Sequence, residues 1–404
     1  MPDHEDAADA PGAASDPAAA DAPRPDARGA AGDQAAADAP HVAIAAGGTA
    51  GHVVPALAIA DALRERGAHV LFLGGERAEA ELVPAAGYPF YTLRVAGIDR
   101  RNPLKAARAV TLAGRATAAA RRILKRERVD VVIGGGGYVA GPAGAAAVAL
   151  RLPLVLTEAD SHLGIANRLL APRARKVFLA FPLSSRSGPR YEVVGRPVPR
   201  ATGKVDRVDA RQRFGLPADR ACLLVFGGSL GARTINVAAL DAFGRASPCS
   251  VLHACGRRDY DELRARLDAL GSPPHYRLEA YVEPFADALA VADIAVARAG
   301  GSVFELAAAG IPSVLVPYPH ATADHQSGNA RWMADGGAAV IVPDAELDGP
   351  RLAREVAALL GSAARLEAMS AAARRLARID AADRVADEVV RLAGRSRSLG
   401  RTLA

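Results

Sequence analysis

The run HVAIAA at residues 41–46 passes straight into Gly47-Gly48-Thr49-Ala50-Gly51-His52 and then into PALAIADALRERG at 55–67. A short apolar run, a glycine turn and an amphipathic stretch read as strand, loop and helix. Pro55 suits a first helical turn, so the helix is predicted to start near it. The grammar continues with HVLFLG (69–74) and VDVVIG (129–134), and restarts with CLLVFG (222–227), SVLHACG (250–256), ADIAVA (292–297) and PSVLVP (312–317). Strands alternating with helices require a parallel sheet covered on both faces. The expected fold class is α/β, with two doubly wound, Rossmann-like domains.

Each expected domain opens on a strand that ends in glycines. Glycine permits tight turns and close backbone approach, and helix N-termini attract anions, so these loops suit a phosphate or diphosphate. The first loop breaks the dinucleotide pattern G-x-G-x-x-G at Thr49 and has no Walker lysine; a ligand-free turn is the plain alternative. The second, Gly134 to Gly137 followed by Tyr138-Val139-Ala140-Gly141-Pro142, is either a close-approach loop or a hinge. The third, Gly227-Gly228-Ser229-Leu230-Gly231, adds a hydroxyl at Ser229. It also fits G-x-S-x-G, but no His and Asp spacing completes a hydrolase triad. Further on, Ser302 and Glu305 have capping-box spacing. A carboxylate one turn into such a helix can instead accept both hydroxyls of a ribose. His320, Asp324, His325, Gln326 and Asn329 supply the donors and acceptors a sugar needs, and residues of these types also cap helices.

A chain of 404 residues, half of them hydrophobic, is long enough for two or three domains with separate cores. Its three cysteines show no C-x-x-C spacing, which argues for a reducing compartment, no disulfide framework and no structural zinc. No metal or other cofactor is expected. No Arg-rich start leads into an apolar run, so no secretory leader is expected. Val131 to Leu150 is uncharged for the length of a membrane span, yet its glycines and Pro142 read better as strand, loop and helix. The net charge of +6 is uneven. Residues 1–40 hold eight Asp and one Glu against two Arg, a net of −7, and leave +13 for residues 41–404. That tail, with 16 Ala, 6 Pro and no β-branched residue, is expected to be disordered and dispensable. Ten of the cations lie between Arg100 and Arg128, among Leu104, Val110, Leu112, Ile123 and Leu124. That pattern suits a basic amphipathic helix on anionic lipid, or a solvated helix face in an Arg-rich chain. Codon bias accounts for the preference for Arg, and no nucleic-acid partner is expected.

Taken together, GGTAGHVVPALAIADAL (47–63), GGGGYVAGPAG (134–144), FGGSLGARTIN (226–236) and RAGGSVFELAAAGIPSVLVPYPHATADHQSGNA (298–330) resemble the MurG family over about residues 41–385. These are UDP-N-acetylglucosamine transferases that convert the lipid-linked diphospho-muramoyl-pentapeptide, lipid I, into lipid II. The resemblance implies a GT-B fold with a central cleft and a peripheral place on the cytoplasmic face of the cell membrane. It divides the chain into a tail (1–40), an acceptor- and membrane-binding domain (41–198), a UDP-N-acetylglucosamine domain (199–375) and a helix returning to the first domain, with a tail (376–404). It implies donor contacts at Thr49, Ala50 and Gly51, diphosphate contact at Ser229 and uracil contact near Val282. It also implies backbone contacts from Gly301, Ser302, Val303 and Phe304, ribose recognition by Glu305 and sugar contact by Gln326. Gly47, Gly48, Gly135, Gly136, Gly137 and Tyr138 would cradle the acceptor diphosphate, and Asn167 in GIANRLL also matches.

The chain departs from that pattern in four places. Asp160 replaces an Asn, bringing a charge that would repel the donor diphosphate. Gly195-Arg196-Pro197-Val198-Pro199 replaces G-N-P-V-R, leaving Arg200 as the candidate cation. The segment from Arg298 to Glu305 is one residue short, and Ala50 replaces a Gly. Inverting transfer to the muramoyl C4 hydroxyl needs a base, for which His52 is the first candidate and Glu158 the rival. Three other readings stand beside it: a UDP-N-acetylglucosamine 2-epimerase, a glycosyltransferase with another lipid acceptor, and a non-catalytic nucleotide-sugar-binding regulator.

Overall fold

A strand buried on both faces must be apolar throughout, and β1 (His41–Ala45) is buried apart from its first residue. The computed structural model describes residues 39–95, 103–183, 186–228, 231–321 and 324–402, without the side chains of 103–110 and 397–402. The acidic tail up to residue 38 and Arg100 to Asn102 lie outside the described residues.

β1 is followed by α1 (Ala50–Glu65), β2 (His69–Gly74), α2 (Ala78–Ala85), β3 (Phe90–Thr92), α3 (Pro103–Arg126), β4 (Val131–Gly134), α4 (Ala140–Ala149), β5 (Leu154–Glu158), α5 (Ile165–Leu170), β6 (Lys176–Leu179) and β7 (Tyr191–Val193). These strands form one parallel sheet in the order β3-β2-β1-β4-β5-β6-β7. The uncharged stretch from Val131 to Leu150 is therefore β4, a glycine loop and α4, too short a helix to cross a bilayer.

The second sheet follows α6 (Arg207–Phe214), whose N-cap Asp206 accepts the Val208 and Asp209 N–H groups. It comprises β8 (Cys222–Phe226), α7 (Arg233–Phe243), β9 (Ser250–Ala254), α8 (Tyr260–Ala269), β10 (Tyr276–Glu279), α9 (Phe285–Val291), β11 (Ile294–Ala297), α10 (Val303–Ala309), β12 (Ser313–Leu315), α11 (His325–Asp335) and β13 (Ala339–Ile341). The order is β10-β9-β8-β11-β12-β13, again parallel. In both sheets the strand order reverses at the first strand. The crevice at such a switch point opens at the strand C-termini, which is where the glycines lie.

Three helices complete the chain: α12 (Gly349–Leu360), α13 (Ala363–Leu376) and α14 (Ala381–Thr402). The last returns to the first sheet's lobe, where Val385, Ala386, Val389 and Ala393 join the core beneath α1. Arg66 pairs with Asp383 at 3.0 Å and Asp387 at 2.7 Å, and Arg384 with Glu192 at 2.6 Å. Between the lobes Phe181 packs against Phe304 and Trp332, with ring centroids 4.9 and 5.6 Å away. The chain thus crosses twice between lobes that share an aromatic contact.

One helix start differs from the expectation. α1 begins at Ala50, so Pro55 lies inside it rather than in its first turn. Proline has no N–H to give the carbonyl four residues earlier, which here belongs to Gly51. That carbonyl needs another donor.

Candidate active site

The donor is Arg196, from the segment that leaves the first lobe. Its guanidinium donates to the Gly51 carbonyl, filling the place that Pro55 cannot. The same guanidinium lies over Gly301, where a Cβ would displace it. Arg196 is only 7% exposed, and the carboxylates of Glu305, Asp160 and Glu158 all act on it. Arg196 is thus a cation held between the first glycine loop of one lobe and the loop after β11 of the other. Arg200, the cation the sequence pointed to, pairs with Glu65 at 2.6 Å and Asp383 at 2.7 Å and so ties α14 to α1. Nor does Asp160 stand as an isolated charge, because Arg196 and His52 both feel it.

His52 lies in the first turn of α1, and a Cβ on Gly136 would come within 2.7 Å of its ring. Burial pushes its pKa below the ordinary 6.5, and Arg196 and His325 add to this against the opposing charges of Asp160 and Glu79. The imidazole is therefore neutral at pH 7, with a lone pair to accept a proton. Glu158, the rival, is buried, and its carboxylate accepts the Gly164 N–H at 2.8 Å, the Asn167 amide at 3.0 Å and the Asp160 N–H at 3.3 Å. Burial raises its pKa against all three of these bonds. Three internal donors make Glu158 a clamp on the loop after β5. Asn167 also gives its amide to the Thr157 carbonyl at 3.0 Å and is buried behind Glu158, so its NH2 faces the protein rather than a substrate.

The glycine loops are more committed than their sequences suggest. Gly48 gives its N–H to Glu79 and Gly135 gives its own to the Ala45 carbonyl, at 2.8 Å each. The Tyr138 hydroxyl donates to Glu79 at 2.9 Å. Those three donors are unavailable to a phosphate. Gly136 and Gly137 have φ of 90° and 75°, which favours glycine. Gly47 is buried, while Thr49 is exposed beside Ala50 at the start of α1, whose first turn holds no acidic residue.

In the second lobe, Ser302 makes no side-chain cap, so the capping-box reading of Glu305 fails. Burial pushes the Glu305 carboxyl up to about 7, opposed by Arg196. The side chains of Val282, Val303 and Phe304 are buried in the core, and the N–H groups of Val303 and Phe304 already bond Gly300 and Gly301. Gln326 accepts the Tyr318 N–H at 2.9 Å through Oε1, which turns its NH2 away from that bond. Asn329, instead of capping α11, reaches back to the Ala299 carbonyl at 3.0 Å and fixes the loop carrying Gly300 and Gly301. Ser229 lies outside the described residues.

The family models for the glycosyltransferase family 28 N-terminal and C-terminal domains match residues 42–179 and 222–385. The chain belongs to glycosyltransferase family 28. A curated relative from Moorella thermoacetica, named UDP-N-acetylglucosamine--N-acetylmuramyl-(pentapeptide) pyrophosphoryl-undecaprenol N-acetylglucosamine transferase, is 42% identical over 364 residues, 87% of this chain and 98% of the relative. One of the same name from Methylococcus capsulatus is 40% identical over 87% of this chain and 99% of its own length. The crystal structure of MurG from Acinetobacter baumannii superposes with a TM-score of 0.67 at 31% identity, covering 87% of this chain and 99% of that one. A UDP-N-acetylglucosamine 2-epimerase structure reaches a TM-score of 0.61 at 13% identity, covering 88% and 97%, and shares the fold alone. Within this family-28 chain the sequence readings passed over Arg196 and Glu79. Pro55 inside a helix was the signal for the first, because it leaves the Gly51 carbonyl without its helical partner.

Proposed function

We propose that the chain moves N-acetylglucosamine from UDP-N-acetylglucosamine to the C4 hydroxyl of the muramoyl unit of lipid I, giving lipid II for peptidoglycan. The observation that carries this reading is the meeting, at one buried Arg196, of the first glycine loop and the loop after β11, in a chain about 40% identical to transferases of that name. Neutral His52 takes the proton of the attacking hydroxyl while UDP leaves the opposite face of the sugar. Thr49, Ala50 and Gly51 contact the donor, the resemblance assigns its diphosphate to Ser229, and Arg196 offsets the charge. The acceptor diphosphate meets the loops of Gly47 and Gly136-Gly137. Gln326 presents its NH2 to the sugar, and Glu305 accepts the ribose hydroxyls. The test is UDP release from UDP-N-acetylglucosamine with and without a lipid I analogue. Release that depends on the analogue and yields the disaccharide supports transfer, whereas epimerisation or binding without release overturns it.

The ribose assignment gives a second prediction. Two ribose hydroxyls need an ionised acceptor, and the Glu305 carboxyl takes up a proton as pH falls through about 7. Donor KM is expected to rise as pH falls below that value, and Glu305→Gln is expected to raise KM about tenfold at pH 8 and flatten the pH dependence. The stability sign is the reverse of a salt-bridged carboxylate. Between 4.5 and about 7 the folded state binds more protons than the unfolded one, so this group's contribution to stability falls as pH rises. A donor KM in Glu305→Gln with the native pH dependence would count against the assignment.

A lipid-linked acceptor also requires the enzyme to meet a membrane surface. No single helix among the described residues is long and apolar enough to cross one. Arg121, Arg122 and Lys125 of α3 line an open groove with Ala149 of α4, and α5, packed on α4, exposes Ile165 by 44% and Leu169 by 66%. Cations on α3 and uncovered apolar side chains on α5, two helices that both pack on α4, suit the headgroup region of anionic lipid, at about 1 kcal/mol for each cation near the surface. Sedimentation with vesicles containing phosphatidylglycerol is expected to exceed that with neutral vesicles. Reversing Arg121, Arg122 and Lys125 to Glu is expected to abolish the difference.

A further inference from the structure

We propose that Glu79 is a positioning residue that locks the two glycine loops flanking His52 into one rigid acceptor-binding unit. The inference rests on the reading that those loops hold the lipid-linked diphosphate. Glu79 lies in ERAEAELVP (76–84), where an acidic residue in a first helical turn is ordinary. A helix dipole, however, does not require burial, and Glu79 is 0% exposed. A buried carboxylate needs specific partners, and this one has three. Oε2 accepts the Gly48 N–H at 2.8 Å, and Oε1 accepts the Gly75 N–H at 2.9 Å and the Tyr138 hydroxyl at 2.9 Å. The donors come from the loops after β1, β2 and β4, which no backbone ladder joins at that level.

The surrounding glycines leave no room for another arrangement. A Cβ on Gly47 would lie 2.7 Å from the Glu79 carboxylate, one on Gly75 would overlap the Tyr138 hydroxyl, and one on Gly137 would overlap the Gly47 carbonyl. The loops are therefore closed directly on the carboxylate and on each other. Gly136, next to Gly137, is the residue against which the His52 ring packs. Burial alone would raise the Glu79 pKa; hydrogen bonds from Gly48, Tyr138 and Gly75 hold it below the ordinary value, so the anion persists at working pH. Glu79 touches no substrate in this arrangement. Its effect passes through the backbone of Gly48 and the ring of Tyr138.

Glu79→Gln tests this without changing shape. Whichever way the amide turns, its NH2 faces either the Gly48 or the Gly75 N–H, so one buried donor loses its acceptor. Acceptor KM is expected to rise about tenfold while donor KM stays within about twofold. Tyr138→Phe, which deletes one of the three contacts and provides a milder variant should Glu79→Gln fold poorly, is expected to give a smaller rise. The double variant is expected to lose less than the sum of the two single losses, because both substitutions loosen the same anchor. Equal shifts in donor and acceptor KM, or additive losses in the double variant, would overturn the clamp. Amide exchange of the native enzyme with a short-chain lipid I analogue isolates the underlying reading. Slower exchange in 47–51 and 134–138 is expected, and its absence overturns the acceptor-loop reading and the clamp with it. Slower exchange together with an unchanged acceptor KM in both single variants overturns the clamp alone.

Discussion

Replacing His52 by alanine is expected to lower kcat by about 100- to 10,000-fold while leaving donor KM within about twofold. The range is that of removing one positioned base, and the pattern follows from placement. His52 packs on Gly136 in the acceptor-side loop and is neutral because burial disfavours its charged form. Its removal leaves Glu305, Gln326 and Arg196 untouched, so donor binding persists. The pH profile adds a separate check. A histidine whose pKa lies below 6.5 stays active as base down to that region, so the acid limb of kcat is expected below pH 6.5 and is expected to disappear in the variant. A turnover number that survives the substitution would return the role of base to Glu158, against the three internal bonds that occupy its carboxylate.

Arg196→Ala carries the second large effect. It removes the donor to the Gly51 carbonyl, which Pro55 cannot replace, and the one cation among the described residues that acts on Glu305. A preorganised donor aimed at the charge of a departing group is worth about 10²–10³ in rate. A loss in kcat/KM for the donor of at least about 100-fold is expected. The donor's pH dependence is also expected to move upward, because Glu305 without its cation holds its proton to higher pH. Arg196→Lys keeps the charge without the planar fork and is expected to recover the pH dependence better than the rate. Native donor kinetics in Arg196→Ala would show that the guanidinium only braces the two lobes.

Both predictions concern positions that the sequence marked unequally. His52 stood out because it follows a glycine loop at the start of a helix. Arg196 looked like a misplaced residue in a pattern whose cation was sought at Arg200. A charge count over six residues cannot tell which arginine faces a cleft and which faces α14, because that depends on Asp383, more than 180 residues away. Glu79 was hidden for the same reason. In sequence it is one more acidic residue in a helix, and only the convergence of Gly48, Gly75 and Tyr138 makes it a buried anchor. Glu305 was legible as a carboxylate in a useful place, but its capping-box alternative could be rejected only once the Ser302 side chain was seen to make no cap.

By itself, the sequence determined the two parallel-sheet lobes, the glycine loops at their strand ends and the family. These depend on local periodicity, on chain stretches that must be apolar on both faces, and on motifs contiguous within about 30 residues. Tertiary structure alone decided which polar groups of those motifs remain free for a ligand. A hydrogen bond saturates its donor, and the partners that claim Gly48, Gly135, Tyr138 and Arg200 come from segments brought together only when the sheets form.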